Sequence, residues 1–160
     1  MKHSFKTGFS FGTTSAVITC IGLMAGMYSG TNSRAAVLGA VLTIAFADSM
    51  SDGLGIHISE EAENVHSRKT IWEATAATVF FKSAAALSFA LPVIFLALKT
   101  ALWTSLIWGF FLIAFFSFYI AEGGWIKRVK AAAEHLLIGG IVVTGSYYIG
   151  LWIAERFGSV

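Results

Sequence analysis

The chain has 160 residues, of which 56% are apolar and 12% charged, about half the charged share of an ordinary soluble domain, roughly 25%. With a mean hydropathy of +0.74 and several apolar runs longer than about 18 residues, it reads as one all-α polytopic membrane domain spanning residues 1–160. The formal charge of +2 excludes a nucleic-acid binder that works through a basic surface. Cys20 is the single cysteine, so no intramolecular disulfide is possible.

The first apolar segment, residues 9–29, follows a short basic start at Lys2 and Lys6. It is long for the hydrophobic stretch of a signal peptide, although Ser33-Arg34-Ala35 has a weak likeness to a cleavage site. It is therefore expected to remain as a membrane helix. Gly8 and Gly12, and then Gly22, Gly26 and Gly30, repeat at four-residue spacing. Such spacing lets helix backbones approach closely. Thr13, Thr14, Ser15 and Thr19 either line a polar path or bond back to their own helix.

The second segment, residues 34–63, carries two carboxylates in its apolar stretch, Asp48 and Asp52. A charge deep in a bilayer is costly and marks a pathway, a relay or a pairing site. At about 100° per residue, with Asp48 at zero, Ser59 falls near 20°, Asp52 near 40° and Glu63 near 60°. These positions form an acidic stripe with Gly55 beside it. His57 and Glu61 fall on the opposite side, with Glu60 between. Residues 64–70 are a short polar connection.

The third segment, residues 72–98, holds Lys82 about three turns in and Pro92 further on. Lys82 either snorkels to the interface or pairs with a carboxylate of the second helix. Pro92 is expected to kink the helix by removing one internal hydrogen bond. The fourth segment, residues 101–121, is rich in Phe and Trp, most of which should face lipid. A basic connection follows, Gly123 to Lys130. The fifth segment, residues 131–154, has Glu134 and His135 in its first turns, where the helix dipole favours a carboxylate.

Five crossings put the termini on opposite sides. Lys2, Lys6, Arg68, Lys69, Lys127, Arg128 and Lys130 then share the N-terminal side, against Arg34, Lys99 and Arg156 on the other. This bias places the N-terminus of a multi-pass membrane protein in the cytoplasm, and in a prokaryote the expected location is the cell (inner) membrane.

Carboxylates are hard ligands that suit Mg²⁺, Ca²⁺, Mn²⁺ and, with nitrogen donors, Fe²⁺. Asp48 and Asp52, at i and i+4, can both reach one ion or share one proton. Glu60, Glu61 and Glu63 would collect cations at the membrane edge, with His57 and Glu134 as further candidate ligands. The competing interpretation is a non-transporting membrane scaffold or partner subunit, in which the stripe pairs with Lys82 or with another chain. No nucleophile–base arrangement or metal-hydrolase signature is visible, so an enzyme is not expected.

Ser51-Asp52-Gly53-Leu54-Gly55-Ile56-His57-Ile58, with Glu63 beyond, resembles the second-helix motif of the vacuolar iron transporter family, S-M-G-x-G-x-Y-L-x-x-x-x-E. The resemblance continues in Leu87-Ser88-Phe89-Ala90-Leu91-Pro92. It extends to Ala133-Glu134-His135-Leu136-Leu137-Ile138-Gly139-Gly140 and Tyr148-Ile149-Gly150, and so covers nearly the whole chain. It implies five membrane helices, a homodimer with a path between protomers, and proton-driven antiport of Fe²⁺ or Mn²⁺ out of the cytosol, with the metal as cargo and no resident cofactor. The sequence departs from that family in three places. Phe11 follows Gly8-Phe9-Ser10 where the family has an Asp, Asp52 stands where it has a Met, and the Glu-rich cytoplasmic domain between helices two and three is absent.

Overall fold

The computed structural model describes residues 3–158, and the side chains from Lys6 onward. Five helices form an antiparallel bundle: α1 (His3–Thr31), α2 (Arg34–Glu63), α3 (Arg68–Phe95), α4 (Leu98–Ile120) and α5 (Trp125–Phe157). Each is long and apolar enough to cross a membrane. The turns are written in the local sequence. Asn32 and Asn64 adopt left-handed backbone (φ 46° and 53°) just past α1 and α2, a conformation that Asn tolerates better than most residues. Ser33 and Ser67 then cap the next helices, accepting from the Ala36 and Thr70 amides.

The second helix has the expected bounds, and the ends of the other four differ from the sequence expectation, with consequences in the third and fifth. The third helix starts four residues earlier than expected and stops at Phe95, so Pro92 lies in its last turn, and the helix continues through it. The connection expected at Gly123 to Lys130 is only its first part. The fifth helix begins at Trp125, and Lys127, Arg128 and Lys130 are helical. Glu134 therefore sits well past the first turn of α5, too far along for the end of the helix dipole to act on it.

The bundle is organised around α1, which packs most closely against α3 and α5 and touches α2 and α4 as well. Some 56% of its most apolar window is buried, against 11% for α5, so α1 is the core and α5 the rim. Val17, Cys20, Ile21 and Met24 of α1 meet Val37 and Val41 of α2, Phe89 and Val93 of α3, and Ile113 of α4. Both glycine ladders of α1 admit a close neighbour, as their spacing predicted, and the two neighbours are different helices. A Cβ on Gly8 would lie 2.6 Å from Ala77 Cβ, and one on Gly12 would lie 2.7 Å from Thr78 O, so this pair admits α3. A Cβ on Gly26 would lie 3.1 Å from Ser146 O, and Gly30 faces Gly150, so the second ladder admits α5. Where helices share an apolar solvent, close backbone approach of this kind substitutes for a hydrophobic driving force.

The second helix is not uniform. Its α-helical parts, Arg34–Thr43 and Ser49–Glu63, are joined by one π-helical turn, Ile44–Asp48. A π turn inserts one extra residue and leaves carbonyls poorly served. Two serine hydroxyls add donors there: Ser49 Oγ joins its own backbone N–H on Ile44 O (3.0 Å), and Ser83 Oγ of α3 donates to Ala45 O (2.6 Å). The wide turn ends at Asp48 and sets the rotation of everything that follows on α2.

Candidate functional site

Near the midpoints of α1, α2 and α3, four polar side chains meet in an otherwise apolar bundle. Lys82 of α3 is 1% exposed. Its ammonium donates to Asp52 Oδ2 and to Ser15 Oγ (3.1 Å), and lies 2.6 Å from Asp48 Oδ2 as an ion contact that is not directed as a hydrogen bond. Ser15 of α1 in turn donates its single proton to Asp52 Oδ2 at 2.8 Å. An ammonium has three N–H donors and no acceptor, and here three oxygens surround it. Of the two sequence alternatives for Lys82, pairing with α2 is the one realised.

The burial of the cluster is lopsided. Lys82 is sealed, whereas the Asp48 and Asp52 side chains remain 38% and 22% exposed. The buried face of this part of α2 runs through Ser49, Gly53 and Glu60. By the same angular reckoning that face is centred near 120° from Asp48, so the two aspartates lie at its edge. Ser51, Gly55 and Ser59 line the open side next to them. Each carboxylate thus keeps part of its surface open to the outside of the bundle, while Asp48 Oδ2, which faces Lys82, is itself buried.

The remaining candidates do not join this cluster. Glu61 and Glu63 are exposed. Glu60, placed by the sequence between the two faces, is instead the buried one, 2.7 Å from His66 Nδ1 in the α2–α3 connection. His57 turns toward α3, its Nδ1 3.1 Å from Thr75 Oγ1 and its ring edge-on to Trp72. Glu134 is exposed on α5, 3.9 Å from Lys130. Among the described residues, no three His, Cys, Asp or Glu side chains gather closely enough to hold a metal ion. The continuous acidic stripe is therefore two separate features, a charged cluster at mid-helix and a set of glutamates at the helix end.

Three supporting interactions lay outside the sequence reasoning. Ser83 and Ser49 hold the π turn, and Lys6 pairs with Glu122 across the ends of α1 and α4. The Lys6 hydrogen bond and charge hold the Glu122 carboxyl below the ordinary Glu range. No local signal pointed to the π-turn contact of Ser83, since successive helix residues project about 100° apart and adjacency to Lys82 does not place it on the same face.

The fold and its polar centre define a class: a five-helix bundle with spans of membrane length and a charged cluster at their midpoint. No protein-family model and no curated protein matches the chain.

Proposed function

We propose that this chain is a membrane carrier for a divalent metal cation, with Asp48 and Asp52 as its intramembrane site and Lys82 as the resident cation of the empty state. The observation that carries the reading is the lopsided burial: two carboxylates keep an open side while the ammonium that neutralises one of them is sealed behind. A purely structural ion cluster gains little from its location, because desolvation offsets the attraction, and an ionisable residue in a membrane span marks function by default. The π turn that aims both aspartates supports the same reading, since such bulges recur at functional sites.

Each cluster carries two carboxylates and one ammonium. An arriving cation competes with Lys82 for the same oxygens, so occupation by one displaces the other. Hard oxygen donors favour Mn²⁺ among transition metals, and the resemblance to the vacuolar iron transporters adds Fe²⁺ as the second metal to test. In a bilayer the open carboxylates cannot face lipid at tolerable cost, and the small residues Ser51, Gly55 and Ser59 beside them permit close helix approach. A second copy of the chain, paired through α2, covers that face and completes the path. The excess of Lys and Arg on the N-terminal side supports a cytoplasmic N-terminus, and export from the cytosol in exchange for protons is the direction proposed.

The test is Mn²⁺ and Fe²⁺ flux into proteoliposomes, with a pH-sensitive dye in the opposite compartment. Asp52→Asn should abolish flux while the protein still inserts and keeps its helical signal. Undiminished flux in that variant would sink the proposal. A scaffold reading is favoured by one observation, that Lys82 already has three partners. It expects no metal-dependent change in any variant.

A further inference from the structure

We infer that the N-terminal face of the bundle holds a binding site for an anionic phospholipid, independent of what the chain carries. A cavity of about 290 Å³ opens between the start of α1, the end of α4 and the start of α5, lined by Lys6, Ser10, Tyr119, Glu122, Gly123 and Arg128. Beside it runs an apolar groove of about 690 Å³ between α4 and α5, with Phe111, Phe115 and Phe118 on one wall and Trp125, Ala132 and Leu136 on the other. Tyr119 borders both. A chamber with charged walls, adjoining an apolar groove at Tyr119, has the shape of one lipid, headgroup in the first and acyl chain in the second.

The charges fix which lipid. Glu122 faces the chamber but is engaged by Lys6. Arg128 is held by its Nε, which donates to Gly123 O at 3.2 Å, and lies over the Phe118 ring at 5.7 Å. Among the described residues no carboxylate pairs with it, and its two terminal nitrogens remain for a phosphate, which a planar guanidinium can grip with two parallel bonds. Lys127 and Lys130 stand on the same first turns of α5, outside the chamber lining, with Glu134 3.9 Å from Lys130. Among the described residues that line the chamber, two cations, Lys6 and Arg128, stand against one carboxylate, Glu122, an excess of one positive charge. A headgroup with net negative charge complements that excess, and a zwitterionic one does not.

The groove is also suited to an extended chain. Phe111, Phe115 and Tyr119 stack along α4 with centroids 6.0 and 6.3 Å apart and ring planes within 23° and 5°. They present a flat aromatic wall to the membrane, where a straight acyl chain makes more contact than a bulky side chain would.

The experiment is native mass spectrometry of the full chain in detergent, with added dioleoyl phosphatidylglycerol or phosphatidylcholine. The wild type should retain phosphatidylglycerol about tenfold better, the worth of one charge-assisted contact. Arg128→Gln should bring the two lipids to parity, with helical circular dichroism unchanged. Ala132→Trp, which fills the groove and leaves every charge in place, should lower retention of both. Equal retention by the wild type, or no effect of Arg128→Gln, overturns the proposal. Competition by glycerol phosphate as strong as by the intact lipid would overturn it too, as the groove would then contribute nothing. If Ala132→Trp altered the oligomeric mass and not lipid retention, the groove would be an interface between copies and the proposal would fail.

Discussion

Replacing Lys82 by Met keeps an unbranched apolar stem and removes only the ammonium. Three contacts vanish together, to Asp48, Asp52 and Ser15. Removing one partner of a buried ion pair costs about 3–5 kcal/mol, because the other charge is left unpaired. Here the stranded groups are the aspartates, and both retain an open side, so the lower end applies, about 3 kcal/mol. Asp48→Asn should cost much less, about 1 kcal/mol, since Lys82 keeps Asp52 and Ser15 and loses a contact that is not a directed hydrogen bond. The assay is reversible unfolding in mixed SDS–maltoside micelles, followed by circular dichroism. Mn²⁺ then separates the two functional readings. With Lys82 gone, the carboxylate pair has no internal competitor, and saturating ion at 100 times its Kd would restore about 2.7 kcal/mol. A Lys82→Met variant within about 0.5 kcal/mol of wild type, the usual range for a neutral surface change, would refute the structural argument. A destabilised variant that ignores Mn²⁺ would leave the cluster structural and remove the carrier reading.

Gly12→Ala places a methyl 2.7 Å from Thr78 O and 3.2 Å from Lys82 N, so it should destabilise by about 1–3 kcal/mol, as overpacking does, and disturb flux by shifting α3. Gly55→Ala meets nothing within 4 Å and should leave the isolated protomer unharmed, or more stable by up to about 1 kcal/mol from helix propensity. If it nevertheless disrupts the dimer in crosslinking, it marks the α2 face as the interface. Ser83→Ala leaves Ala45 O without its donor and should cost about 1–3 kcal/mol, with a larger loss in flux than Thr70→Ala at the α3 start. The Glu122 carboxyl should titrate below the ordinary Glu value in ¹³C NMR and move back up in Lys6→Gln. Because its folded value is lowered, its contribution to stability is present at neutral pH and is lost as pH falls through that folded value.

Much of this could be read along the chain. The five apolar runs, the glycine spacing on α1 and the one-turn separation of Asp48 and Asp52 are properties of single segments, and each reappears in the fold. Helix ends were less legible. The start of α5 was placed six residues late because Lys127, Arg128 and Lys130 looked like a loop, although charged residues extend a helix beyond its apolar part without penalty.

The sequence by itself determined the class of architecture and the presence of an acidic pair near the middle of a long apolar helix. Periodicity fixes which residues share a face within one helix, and that is a local property. The rotation and depth of one helix against another are not local. Lys82 meets Asp52 across 30 residues and Ser15 across 67, through contacts no segment encodes alone. The π turn at Ile44–Asp48 sharpens the point, because one inserted residue rotates the rest of α2 and is stabilised by a serine from α3. Only the tertiary structure could decide that Glu60 turns inward, that His57 turns to Thr75, and that the two aspartates keep an open side while Lys82 is sealed.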